Sequence, residues 1–111
     1  MKIAITTTGK SKLTDRVSDT FSRAPTFTII TLEDLEIKES EVINNPASSL
    51  KQGAGPIAAT TIKNQDIDLL ITGELGPGAK TILEAFNIKT YQANRGKKVS
   101  QVIDEWKKLG L

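Results

Sequence analysis

Residues 53–92 read GAGPIAATTIKNQDIDLLITGELGPGAKTILEAFNIKTYQ, and this stretch contains the same device twice. Pairing Gly55 with Gly76 also pairs Pro56 with Pro77, Ala58 with Ala79, Thr60 with Thr81 and Ile67 with Ile88. In each copy a glycine and a proline precede a run with helical spacing. Proline suits the first position of a helix, because its missing N–H would have no intrahelical partner there. A glycine before it permits a tight turn. The pattern predicts a helix over about Pro56–Asn64, an apolar strand over Asp68–Thr72, a second helix over about Pro77–Phe86 and a strand over Ile88–Gln92. Strands alternating with helices require crossover connections, and hence a parallel portion of the sheet.

Upstream the period changes. MKIAITTT alternates, with Ile3 and Ile5 on one face and Ala4 and Thr6 on the other, and reads as a strand. TFTIITL (Thr26–Leu32) and EIKESEVINN (Glu36–Asn45) follow as two strands joined by the acidic link EDLE, which predicts an antiparallel hairpin. Between them and the first strand lies GKSKLTDRVSDTFSRAP (Gly9–Pro25), long and polar for a connection in a small domain. Leu13, Val17 and Phe21 are four apart, so part of it is expected to form a short helical turn. A second loop, NPASSLKQGAGP, is rich in Ser, Gly and Pro. After ANRGKK a last helix carries Val99, Val102, Ile103, Trp106 and Leu109 on one stripe and is expected to end at Gly110.

The chain has 111 residues, with 38% hydrophobic and 25% charged, which suits one globular domain over residues 1–111. Fifteen basic against 13 acidic residues give a net charge of +2, without the dense basic face of a nucleic-acid binder. No apolar run approaches the roughly 20 residues of a membrane span, and no signal-type apolar segment opens the chain. A cytoplasmic protein with neither nucleic-acid nor membrane partners is the expectation. Cys and His are both absent. That removes disulfides, the usual zinc and haem ligands, and Ser-His or Cys-His nucleophile pairs. No enzymatic activity is expected.

What remains for binding is helix N-termini, glycine-opened backbone and arginine. The twin devices place Gly53, Gly55, Gly73, Glu74 and Gly76 where two helix ends with unpaired N–H groups and partial positive charge would face one crevice. Capping chemistry alone also accounts for the repeat. Arg23, in the long loop, reads as a bidentate clamp for an anion or as a surface salt bridge with Asp19 or Asp15. Arg95, Lys97 and Lys98 form a solvated basic turn that could close the same mouth. Glu74 reads as an acid interacting with the following helix N-terminus more readily than as a base or hard-metal ligand. Thr6, Thr7 and Thr8 end the first strand, where hydroxyls could contact an anion. Trp106 and Phe86 are spaced as core residues.

The order of KIAIT, VSDTFSRAPTFTII, NNPA, GAGPIAA, DLLITGELGPGA and IKTYQA resembles the dinitrogenase iron–molybdenum cofactor biosynthesis family, over nearly the whole chain. That family includes NifX-like and NafY-like cluster carriers and the C-terminal domain of NifB. The resemblance implies an α/β fold with a ribonuclease H-like motif: a mixed sheet with an antiparallel three-strand meander, then alternating helices and parallel strands. It also implies a non-enzymatic protein that binds an iron–sulfur-type metallocluster. A family pattern like HFGRA reads TFSRA here, with Thr20 and Ser22 at the His and Gly positions. With no Cys or His, direct ligation of such a cluster lacks soft or imidazole ligands. The cofactor is therefore left open between a cluster and a small anionic ligand. The first strand carries none of the acids that a two-metal nuclease needs. A protein-interaction module, docking a partner at a sheet edge or at the stripe near Trp106, is the alternative.

Overall fold

In the computed structural model, which describes residues 1–109, a five-stranded mixed sheet is covered by helices on both faces. The strands are β1 (Lys2–Thr7), β2 (Thr26–Glu33), β3 (Glu36–Asn44), β4 (Leu69–Thr72) and β5 (Lys89–Gln92); the helices are α1 (Ala54–Lys63), α2 (Pro77–Ala85) and α3 (Val99–Lys108). Spatial order is β3-β2-β1-β4-β5. β1 pairs antiparallel with β2, and β2 with β3, whereas β1–β4 and β4–β5 are parallel. The expected meander and the expected parallel half thus share β1.

Strand alternation decides which helix covers which face. Ala4, Ile29 and Leu70 point to the side where α1 brings Ala58 and Ile62 and α2 brings Ala79 and Leu83. Ile3, Ile5, Ile30 and Ile71 point to the other, where α3 lays down Val99, Val102, Ile103 and Trp106. Trp106 is 3% exposed, so its stripe is core and offers no docking surface. Leu109 leaves that stripe, being 55% exposed just past the helix. The predicted helix stop at Gly110 lies outside the described residues. Phe86 is half-buried, with Lys63 Nζ 4.8 Å from its ring centre. Among the described residues no helix is long and apolar enough to cross a membrane.

The twin devices are not twins in conformation. α2 begins at Pro77, as expected, after Gly76 in extended backbone (φ −68°, ψ 155°). α1 begins two residues before Pro56, after Gly53 in the left-handed region (φ 72°, ψ 18°). Pro56 is therefore the third helical residue. It is tolerated because the first four N–H groups of a helix have no intrahelical acceptor, so losing one costs no bond. Gly55 is helical, and the tight turn belongs to Gly53.

The link between β2 and β3 is a two-residue turn. Asp34 and Leu35 both have positive φ (52° and 66°), the left-handed pair that suits a right-twisted hairpin.

Candidate functional site

The long loop after β1 runs across the C-terminal end of the sheet from one face to the other. Val17 is buried in the α3-side core and Phe21 in the α1/α2-side core, where its ring stacks on Phe27 at 5.9 Å. The expected helical turn reduces to a 3₁₀ turn over Lys12–Thr14, because Val17 and Phe21 serve opposite faces. Asp15 pins the loop's first half. It is buried, and it accepts from Ser11 N at 2.9 Å, Arg16 N at 2.7 Å and Thr8 Oγ1 at 3.0 Å. Burial opposes its charge, but these donors outweigh burial and hold the carboxyl below its ordinary range.

The second half lies along the residues after β4. Glu74 N donates to Asp19 O at 2.6 Å, Phe21 N donates to Glu74 O at 3.2 Å, and Thr20 forms a parallel bridge with Glu74. Gly73 makes this approach feasible. A Cβ there would lie 2.5 Å from Asp19 O and would also strike Ser18 O. Beneath the crossing, Thr6 Oγ1 donates to Thr72 Oγ1 at 3.0 Å, and Thr7 shares hydrogen bonds with Thr26 and Thr28. Thr6 and Thr7 are fully buried in this network, so neither presents a hydroxyl to a ligand; only Thr8 is exposed.

Two open clefts flank the crossing. The first, about 260 Å³, is lined by Thr20, Phe21, Ser22, Arg23, Glu74 and Gly76 at the start of α2. The second, about 390 Å³, includes Asp19, Gly73, Glu74, Asn94 and Arg95. Thr20 and Glu74 border both. The structure thus gathers Arg23, Glu74 and Gly76 in one cleft, with Gly73 in its neighbour. Gly55 lies behind: its ideal Cβ position is 3.5 Å from Ser22 Oγ and 3.9 Å from Ala79 Cβ. Gly53 borders neither cleft, and its role is the left-handed turn.

Neither sequence reading of Arg23 anticipates its partners. Nε donates to Leu50 O at 3.1 Å and Nη2 to Lys51 O at 2.8 Å, so it ties down the loop before α1. The expected ion pair with Asp19 belongs to Arg95, at 3.3 Å and largely exposed. Lys97 does not close the mouth but pairs with Glu105 at 2.6 Å. The residue that sequence reasoning missed is Asn45, 3% exposed. Its Nδ2 donates to Ser22 O at 2.9 Å and Ala24 O at 3.0 Å, while its Oδ1 accepts from Ala47 N at 3.0 Å. The signal was present in NNPA, where an Asn before a Pro marks a side chain that hydrogen-bonds nearby backbone.

Comparison with known proteins places this architecture. The model of the family described as "dinitrogenase iron-molybdenum cofactor" matches residues 1–109. The chain belongs to the dinitrogenase iron–molybdenum cofactor family. An uncharacterized protein of Methanocaldococcus jannaschii is 34% identical over 97 residues, covering 87% of this chain and 78% of the relative. The apo form of the orange protein from Desulfovibrio gigas superposes with a TM-score of 0.85 at 30% identity, covering 96% of this chain and 87% of that one. A candidate NifB protein from Thermotoga gives 0.78 at 29%, with the same coverages. Both structures thus share this chain's mixed α/β fold over nearly its whole length.

Proposed function

We propose that this family member binds and carries an anionic, sulfide-faced metallocluster or a similar small anion, without turning it over. The reading takes the sheet order β3-β2-β1-β4-β5 as a ribonuclease H-like motif whose strand ends form the binding edge, as in other open α/β sheets. The observation that carries it is the donor set at the first cleft. Gly76 gives α2 no side-chain cap, so the N–H groups of Gly78 and Ala79 stay without a side-chain acceptor. The hydroxyls of Thr20 and Ser22 and the guanidinium of Arg23 border the same space. Among the described residues Arg23 Nη1 makes no hydrogen bond to protein, which leaves that end of the fork for a ligand.

This donor set suits the outer atoms of an anion and not a bare metal. Cys and His are absent, and among the described residues no three carboxylates converge. A cluster would be held through hydrogen bonds to its sulfides, as cargo. That one structural relative is described as an apo form supports a ligand-taking role.

The test is anaerobic titration with tetrathiomolybdate, a sulfide-faced molybdenum anion, beside inorganic phosphate. Binding in about the millimolar range is expected, in keeping with roughly 0.3–2 kcal/mol from the one helix end plus one charged hydrogen-bonding group. Arg23→Ala should weaken it about tenfold. Absence of uptake, or an unchanged affinity in Arg23→Ala, would overturn the reading; turnover of a substrate abolished by Glu74→Gln would overturn its non-enzymatic part.

A further inference from the structure

We infer that Asn45 is the positioning residue for Arg23, acting through a reciprocal clasp between the loop 20–25 and the loop 45–52. The inference rests on the reading of Arg23 as the anion-binding arm. Both Nδ2 protons of Asn45 are used, one on Ser22 O and one on Ala24 O, the two carbonyls that bracket Arg23. Asn45 N adds a third tie to the same loop, donating to Pro25 O at 3.2 Å. In return Arg23 reaches across to Leu50 O and Lys51 O, the far end of the loop that Asn45 begins. Each loop thus fixes the other.

The consequence is orientation. Phe21 and Ala24 are buried on either side of Arg23 and anchor the two ends of this short segment in the core. Asn45 fixes the direction in which Arg23 leaves that backbone, and the Leu50 and Lys51 carbonyls take Nε and Nη2. A guanidinium with two of its three nitrogens held has little rotational freedom to lose when an anion arrives, which is how a rigid neighbour raises affinity without touching the ligand. The two carbonyls use Nε–H and one Nη2–H, which leaves the Nη1 end of the fork for an anion. Asn45 is 3% exposed and lines neither cleft, so its effect on binding is indirect.

The test separates positioning from both stability and ligand identity. In ligand-free protein the Arg23 Nε–H resonance should be distinct in the NMR spectrum and protected from exchange by Leu50 O. In Asn45→Ser, whose backbone amide spectrum should stay dispersed, that resonance should move toward the free-arginine position. The affinity for tetrathiomolybdate should fall about tenfold, the scale of a lost hydrogen-bonded constraint. In Arg23→Ala the same Asn45 substitution should cost little further, because the arm it positions is gone. A folded Asn45→Ser with an unchanged Nε–H resonance would overturn the inference. Should that variant not fold, the wild type decides: the Asn45 side-chain amide resonances should shift together with Arg23 Nε–H on adding tetrathiomolybdate, and an unmoved Asn45 pair would overturn it. Failure of the wild type to bind the probe counts against the proposed function alone, since the ligand-free Nε–H comparison still decides the clasp.

Discussion

Gly73 shows how much of the site depends on one missing methyl group. The carbonyl of Asp19 lies 2.5 Å from where its Cβ would be, and both groups are backbone-anchored, so a side chain there must push the crossing loop off β4. Gly73→Ala is expected to cost about 1–3 kcal/mol, the usual range for overpacking, and to open both clefts, measurable by chemical denaturation and by amide shifts at residues 18–21. Asp15 stabilises the other half of the same loop through charge. Its folded pKa is depressed below the ordinary 3.8, so its contribution is present above that value and is lost as pH falls through the lower folded value. Asp15→Asn turns an N–H₂ group toward donors that need acceptors. It should cost roughly 1–3 kcal/mol near neutral pH, with the gap to wild type closing in acid. A gap that stays constant from pH 7 to pH 3 would mean that the carboxylate's charge does not matter there.

At the scale of elements, the same Gly-Pro spelling yields two different helix starts. Gly53 has φ 72° with nothing within 4 Å of a Cβ, whereas Gly55 sits inside α1 with ordinary contacts at 3.5 and 3.9 Å. Substitutions to alanine should therefore act through different strains. Gly53→Ala should lose about 1–2 kcal/mol for a left-handed L-residue. Gly55→Ala should forfeit the roughly 0.5–1 kcal/mol of helix propensity an alanine otherwise brings, because a Cβ in helical backbone directly before Pro56 meets the proline ring; thermal or denaturant unfolding reads both. Strand alternation and the 3.6-residue stripes made the elements, their order and the mixed sheet legible in the sequence, because each of those signals is local. The start of α1 was not legible, since proline is tolerated anywhere in the first turn and spelling does not distinguish its first position from its third. The site was legible only in part. Arg23, Glu74 and Gly76 lie together as the sheet's C-terminal edge implied, but the partners of Arg23 are carbonyls 27 and 28 residues away, and no local pattern encodes them. Asn45 was legible only in its local half, the bond from Ala47 N that NNPA spells. Its acceptors are 21 and 23 residues upstream.

For the whole molecule, charge is distributed unevenly around a nearly neutral total. The segments that meet at the cleft end of the sheet, residues 8–23, 50–51, 73–76 and 94–98, hold eight basic and three acidic side chains, leaving seven basic and ten acidic residues elsewhere. An end with that excess attracts anions over about a Debye length, roughly 10 Å at 0.1 M salt. Glu74 is the one acid that borders both clefts, and it opposes that field at the point of binding. Glu74→Gln preserves the side chain's shape and all the backbone bonds to Asp19 and Phe21 while removing the opposing charge. If the cleft takes an anion through Arg23 and the start of α2, Glu74→Gln should tighten tetrathiomolybdate binding several-fold at low salt, on the scale of a surface charge interaction. The gain should shrink as salt is raised, while Arg23→Ala shifts affinity the other way. Weaker binding in Glu74→Gln would carry a different meaning: the carboxylate would then be part of the recognition, and the ligand would bring a cationic or hydrogen-bond-donating group to meet it.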